Sequence, residues 1–454
     1  MGAKVECPHI TFNALTQTSP YPMAIHTRED LKEGKLKGIS RLKLSCNLEE
    51  FPTEILTLAD TLEILDLSGN KLKSLPADIS RLTKLKIAFF SDNLFTAYPT
   101  ELAGCKQLSM IGFKANKITI IPENAFTPAL RWLILTDNCI SEIPASLGDC
   151  PLLQKLMLAG NQLSSLPSSL ANCTNLELLR ISANQFESLP DWLLTMPRLT
   201  WLAFAGNPLN AHLRPQHSLP EITWSSLVIA EQLGEGASGI ISRAQWQQEE
   251  VAVKVFKGAI TSDGLPADEM KACMAIGQHP NLINVIGKVI DHPEDKEGLV
   301  FTIIPAHFRN LGGPPNFETC TRDTFPEGTL FSMQDCICIL QGMASVLHHL
   351  HQQGIVHADF YAHNILIDTT GFPLLSDFGA ANFYDTNDKQ LNEAIERMEI
   401  RAFGCLIDDL TARTDIQEPN TLKLLNRLKT MCMQEEVLQR PTFKQVIDEL
   451  VALS

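Results

Sequence analysis

The sequence predicts a chain in two parts: an N-terminal α/β solenoid whose short strands form a parallel β arc, and a C-terminal α+β domain. Asparagine recurs at positions 47, 70, 93, 116, 138, 161, 184 and 207, every 23 residues with one interval of 22. The period stops at Asn207, and Pro208, Pro215 and Pro220 punctuate the next stretch of chain. A glycine-rich turn then leads into the alternating strand Val251, Ala252, Val253, Lys254, Val255 and a helix-like stretch from Asp268 to Ile276. At 454 residues the chain exceeds what one core organises, and 44% apolar with 20% charged residues excludes disorder.

Residues 1–38 read as an N-terminal cap segment, with a short shielding helix from Arg28 to Gly34. Each period from residue 39 onward closes on the same phrase, as in Leu62, Leu65, Leu67, Asn70 and again in Leu130, Leu133, Leu135, Asn138. A Leu-Pro or Ile-Pro pair comes next, as at Leu75-Pro76, Ile143-Pro144 and Leu166-Pro167. One unit cannot bury its leucines alone, so the units stack into one continuous core, with each Asn side chain satisfying backbone groups in a turn. Residues 39–210 resemble the leucine-rich-repeat family.

Two series of strand residues point outward on the concave side of such an arc. They read Asp66, Phe89, Gly112, Ile134, Met157, Arg180, Ala203 and Ile64, Ile87, Met110, Trp132, Lys155, Leu178, Trp201. Phe89, Trp132, Ile134 and Met157 are apolar where solvent is expected, which suggests either a protein-binding face or contact with the C-terminal half.

A linker is expected over residues 211–223. Beyond it, Leu233, Gly234, Glu235, Gly236, Ala237, Ser238 and Gly239 carry a G-x-G-x-x-G turn, whose amides can approach phosphates but which alone also marks ordinary hairpins. Glu269 lies fifteen residues after Lys254, with Asp268 as its competitor for that lysine. His357-Ala358-Asp359 comes later, then Asn364 five residues after Asp359 and Asp377-Phe378-Gly379 eighteen after it. With these motifs in this order, residues 224–454 resemble a protein kinase domain.

The resemblance implies roles. Gly234, Glu235, Gly236, Ala237, Ser238 and Gly239 would cover the phosphates of ATP, while Ile241, Ala252 and Leu366 would enclose its adenine. Lys254 would bind phosphate oxygens, steadied by Glu269. Asn364 and Asp377 would hold magnesium or manganese, and Asp359 would accept the proton of the acceptor hydroxyl. An ATP-dependent protein kinase is the implied activity, serine/threonine by lean, with the repeats recognising protein or regulating output. A scaffolding pseudokinase and a kinase for a small acceptor are the alternatives.

This sequence departs from the family at several positions. Ala358 stands where Arg is usual, Tyr361 where serine/threonine kinases place Lys, and His363 where tyrosine kinases commonly place Arg. No Ala-Pro-Glu appears after Asp377, and only 22 residues separate it from Glu399 in Glu399-Ile400-Arg401-Ala402-Phe403-Gly404. Arg440, which normally pairs with the Glu of that absent motif, is expected on Glu396 or Glu399. Within the short segment, Thr386 and Tyr384 are the candidate phosphate acceptors.

Charge and partners complete the reading. The net charge of -15 falls entirely in residues 221–454, where 17 basic face 32 acidic side chains, so nucleic acid is a poor partner. Met1 to Thr11 has no signal-like apolar stretch, Glu6 spoils a myristoylation signal after Gly2, and no run reaches the ~18 apolar residues of a membrane span. Twelve cysteines without a C-x-x-C pair suit free thiols, and a cytoplasmic location is expected. Each half is expected to fold on its own.

Overall fold

The computed structural model describes residues 25–213, 219–236, 238–258, 260–414 and 419–452. Ala237, Pro215 and the opening segment with Gly2 and Glu6 lie outside the described residues. The cap helix α1 (Arg28–Lys32) starts at Thr27, whose hydroxyl accepts the Asp30 amide at 3.1 Å, and buries Leu31 over the first repeat.

The arc contains eight strands of three residues: β1 (Arg41–Lys43), β2 (Ile64–Asp66), β3 (Ile87–Phe89), β4 (Met110–Gly112), β5 (Trp132–Ile134), β6 (Lys155–Met157), β7 (Leu178–Arg180) and β8 (Trp201–Ala203). They pair in parallel in chain order, and their central residues, such as Leu65, Leu133 and Leu179, are fully buried. The asparagines hold the turns as expected. Asn138 Nδ2 donates to Phe113 O in the previous repeat (2.9 Å) and to Leu135 O (3.1 Å), while its Oδ1 accepts the Ile118 amide at 3.0 Å. Such groups would otherwise be buried without partners, so each Asn fastens one coil of the solenoid to the next. Pro52, Pro99, Pro144, Pro167 and Pro190 each precede a short 3-10 turn on the convex side, where their fixed φ ends the extended run.

The second part opens with β9 (Glu221–Thr223), inside the segment expected as linker. It pairs in parallel with β13 (Val285–Ile290) and so belongs to the sheet. β10 (Val228–Glu235), β11 (Gly239–Trp246), β12 (Glu249–Phe256) and β14 (Gly298–Thr302) complete a six-stranded sheet in the order β10-β11-β12-β14-β13-β9. Helix α2 (Pro266–Ala275) carries the Asp268-Glu269 pair. The other lobe is helical, built on α3 (Met333–Gln352), α4 (Lys389–Thr411), α5 (Pro419–Cys432) and α6 (Phe443–Val451).

The two halves share their cores. Val356, Ala380, Ile395 and Met398 join the apolar cluster of the repeat leucines, and Ile134, Met157, Leu178 and Trp201 join the cluster of the helical lobe. The concave face is therefore not a free surface for a partner. Met157 and Ile134 are buried under the chain's own helical lobe, and Phe89 meets Phe317 with ring centroids 6.1 Å apart. Trp132 takes the Lys155 ammonium over its ring at 4.1 Å. Apolar residues at those positions serve an internal interface, a use that a solvated arc would not need.

Candidate active site

Lys254 sits in mid-strand on β12, opposite Ile241 of β11 and Leu299 of β14. This register places Ile241, Ala252 and Lys254 on one face of the sheet. The ammonium forms an ion pair with the Glu269 carboxylate, the two side chains being 14% and 4% exposed. Asp268 turns instead to Lys271 at 2.8 Å, which settles the competition between the neighbours. Burial works against the lysine charge, but the carboxylates of Glu269 and Asp377 outweigh it and hold the ammonium above its usual range. One Glu269 oxygen, Oε2, is buried without a hydrogen-bond partner among the described residues.

The glycine-rich turn approaches this pair closely. The Gly236 amide donates to Gly239 O at 2.8 Å, and Gly234 and Glu235 pair across to Ile241 and Ile240. A Cβ on Gly239 would come within 2.7 Å of Val255 O and 3.2 Å of Lys254 Cε, so only glycine leaves room there. Glu235 itself is drawn to Lys257 at 2.5 Å. Leu366 is buried on the short strand Ile365–Ile367.

Across from the sheet, His357 is fully buried. Its Nδ1 accepts the Asp359 amide at 3.3 Å, and its Nε2 therefore carries the proton donated to Ser376 O at 3.0 Å. Asn364 Nδ2 donates to Asp359 O (2.9 Å) and Oδ2 (2.8 Å), which leaves its own Oδ1 as the group able to face a cation. The Ser376 amide donates to Asn364 O at 2.9 Å, setting Asp377 beside the loop. Ala358 (φ 61°) and Asp377 (φ 58°) both lie in the left-handed region. For residues with a Cβ this costs on the order of 1 kcal/mol each, and it persists because neighbours pin both ends. Phe378 packs beneath, its ring 4.9 Å from that of His357.

The residues fit a nucleotide with its divalent ion. An ammonium stands between two carboxylates, a glycine leaves a backbone-lined approach, and an amide oxygen and a carboxylate lie on adjacent segments. Among the described residues no three His, Cys, Asp or Glu side chains cluster as a metal site. Asn364 and Asp377 would thus hold magnesium or manganese only together with phosphate oxygens.

Several residues of this site lie outside the motifs. Arg180 of β7 reaches the Asp359 carboxylate and donates to Ala358 O at 2.8 Å. Burial opposes the Asp359 charge, but Arg180 first, then His363 and His357, hold its carboxyl below the usual range. Trp201 of β8 stacks on Tyr361 at 4.3 Å, nearly parallel, and its Nε1 donates to Phe360 O at 3.0 Å. Glu399 accepts the Ala358 amide at 2.8 Å and also binds His351 Nε2 at 2.8 Å. In sequence, Arg180 and Trp201 stand out only as members of the concave series.

Two expectations are corrected here. Among the described residues, Arg440 pairs with no carboxylate. It donates to Gln434 O (2.8 Å), Arg397 O (3.1 Å) and Pro197 O of the repeats (2.6 Å), while Glu396 and Glu399 serve backbone amides. Carbonyl oxygens can satisfy a guanidinium geometrically, and burial lowers its pKa to about 9. Tyr384 is not a phosphate acceptor on the surface. It is 2% exposed with its hydroxyl on His351 Nδ1 at 2.8 Å, whereas Thr386 is exposed.

Comparison with known proteins agrees with this architecture. The protein kinase domain family matches residues 227–402, and leucine-rich-repeat families match 61–82, 113–163 and 151–209. A probable serine/threonine-protein kinase of Dictyostelium discoideum is 29% identical over 165 residues, 36% of this chain and 9% of that protein. The serine/threonine-protein kinase PITSLRE of Drosophila melanogaster is 25% identical over 175 residues, 38% of this chain and 17% of its own length. Fibroblast growth factor receptor 1 of Pleurodeles waltl is 24% identical over 282 residues, 49% of this chain and 34% of the receptor. The chain thus spans about a tenth to a third of these relatives' lengths. A leucine-rich-repeat protein structure from Leptospira interrogans aligns with 40% of this chain and 46% of its own, at 26% identity and a TM-score of 0.36. No helix among the described residues is long and apolar enough to cross a membrane. This chain joins leucine-rich repeats to a protein kinase domain.

Proposed function

We propose that the chain is an ATP-dependent protein kinase acting on serine or threonine, working in the cytoplasm, with its repeats regulating or recognising protein. The observation that carries this is the buried Lys254–Glu269 pair beside Asp377, next to the Asp359–Asn364 hydrogen bond. Bound ATP with its divalent ion supplies the transferable phosphoryl group. Lys254 would hold phosphate oxygens, kept in place by Glu269, and the turn at Gly234, Gly236 and Gly239 would exclude water above them. Ile241, Ala252 and Leu366 would line the adenine site. Asn364 Oδ1 and an Asp377 oxygen would take the cation. Asp359 would orient the acceptor hydroxyl and accept its proton on a carboxylate oxygen. We take residues 39–210 as the repeat unit and 224–454 as the catalytic unit.

The test is incubation of the purified chain with labelled ATP and magnesium, alone and with a generic protein acceptor, and then phosphoamino-acid analysis. Label on serine or threonine is expected. ATP turnover without label on protein would overturn the reading.

A further inference from the structure

Arg180 is among the largest fully buried side chains of the molecule. All three of its donor nitrogens are used, and all on the catalytic half. Nε donates to Asp263 Oδ1 at 2.9 Å, Nη1 to Ala358 O at 2.8 Å, and Nη2 pairs with the Asp359 carboxylate. A guanidinium taken out of water is costly unless its charge and donors are met. Two carboxylates and a carbonyl meet these. Burial opposes its charge, and Asp359 with Asp263 more than restores it.

The partners are shaped for the contact. Asp263 lies in the loop between β12 and α2, where its amide donates to Thr261 Oγ1 at 3.2 Å and its second oxygen takes the Ser262 hydroxyl at 2.9 Å. Gly264, at φ +143°, sits so close to the repeats that a Cβ there would meet Ser182 at 2.9 Å. This loop leads directly into the helix bearing Glu269. On the other side, the strained peptide at Ala358 is held at its amide by Glu399 and at its carbonyl by Arg180. Asp359 is gripped through one oxygen by Arg180 and through the other by Asn364. Within the loop, positions 358, 361 and 363 supply Ala, Tyr and His, so no arginine or lysine at those positions faces Asp359.

We propose that Arg180 of the repeats is a positioning residue of the phosphotransfer site, supplying from the arc the guanidinium that the catalytic loop lacks and tying Asp359 to the loop ahead of α2. The inference rests on the kinase reading above. The catalytic unit is complete only with the arc seated on it, so the repeats act as a built-in part of the site. Whatever loosens the seventh repeat loosens Asp359.

The test uses the full chain with R180A, R180K and D263N. Turnover, KM for ATP, melting temperature and hydrogen exchange of the Ala358 to Asn364 amides are measured together. The expectation for R180A is a kcat at least tenfold lower with KM for ATP within twofold, and faster exchange confined to that loop. R180K should fall between R180A and wild type, because a lysine restores the charge but not the three-way grip. D263N keeps the Arg180–Asp359 contact and should lower kcat less than R180A while still quickening exchange. It serves the same comparison should R180A fail to fold. Turnover of R180A at or above wild type would overturn the proposal, since Arg180 would then be restraining Asp359. Equal losses in R180A and R180K that track melting temperature alone would also overturn it. If the wild-type chain transfers no phosphoryl group, the kinase reading fails, yet the exchange comparison still decides whether Arg180 holds the loop.

Discussion

Replacing Trp201 by alanine tests whether the two halves are one cooperative unit. The indole is 1% exposed although it stands on the concave end of β8, a surface that an isolated arc would leave wet. A tryptophan buries about 200 Å² of surface, which at about 25 cal/mol per Å² corresponds to about 5 kcal/mol. Partial collapse of the site reduces this toward the about 3 to 5 kcal/mol found for large aromatic truncations in cores. The near-parallel stack on Tyr361 adds about 1 kcal/mol. The Nε1 bond to Phe360 O adds about 1 kcal/mol more, because that carbonyl is left buried without its donor. A net loss of about 5 to 7 kcal/mol is therefore expected.

The assay is urea unfolding monitored by far-ultraviolet circular dichroism and by intrinsic fluorescence. Wild type should show one transition by both probes, and W201A the same single transition at lower urea, since the clusters of the repeats and the helical lobe run into each other. A loss below about 1 kcal/mol would mean the indole is not holding the halves together. Separate transitions, with the repeats unaffected by W201A, would equally refute the shared core.

Lys254→Met should abolish phosphoryl transfer and cost about 3 kcal/mol, because Glu269 is left buried without its cation; the double variant with Glu269→Gln should recover most of that stability in thermal melts but none of the turnover. Asp377→Asn should weaken magnesium-dependent ATP binding in calorimetry at least tenfold, whereas Asp359→Asn should bind ATP near the wild-type level and fail to transfer, because on the proposed roles the former carboxylate holds the cation and the latter serves the acceptor. Thr386→Ala should leave turnover of phosphatase-treated protein within twofold, since Thr386 is exposed, while Tyr384→Phe should cost about 1 kcal/mol by unpairing the hydroxyl from His351.

Much of this fold is legible in the residues. The asparagine period identifies the arc because each Asn answers a backbone need that repeats with the coil, its amide reaching carbonyls while its oxygen takes an amide. Lys254, Glu269, Asn364 and Asp377 stand out in the sequence by their spacing, and the fold brings Lys254 onto Glu269 and Asn364 onto Asp359. What covers the concave face is not legible. An apolar Met157 or Ile134 reads the same whether a foreign protein or the chain's own lobe lies on it, since burial is a property of both surfaces. The partner of Arg440 escapes sequence reasoning for a related reason. A buried guanidinium needs acceptors, and sequence shows carboxylates while every residue offers a carbonyl.

Arg180 marks the point where the two kinds of reading meet. The loop around Asp359 carries no arginine or lysine at positions 358, 361 or 363, and that lack is visible in the sequence. A buried carboxylate that must stay ionised still needs an opposite charge, because solvent is no longer there to stabilise it. The histidines of the loop supply part of it, and a permanent charge has to come from elsewhere in the fold. The concave series holds few cations, and of its two buried ones Lys155 is turned onto Trp132 while Arg180 stands over Asp359. The short segment after Asp377 fits the same logic. Asn382 Oδ1 accepts the Phe204 amide at 2.6 Å, and Arg440 donates to Pro197 O, so the repeats brace both this segment and the Arg440 guanidinium. If the arc supplies the guanidinium and the clamp as proposed, loop phosphorylation has little left to organise, and the seating of the last two repeats sets the placement of Asp359.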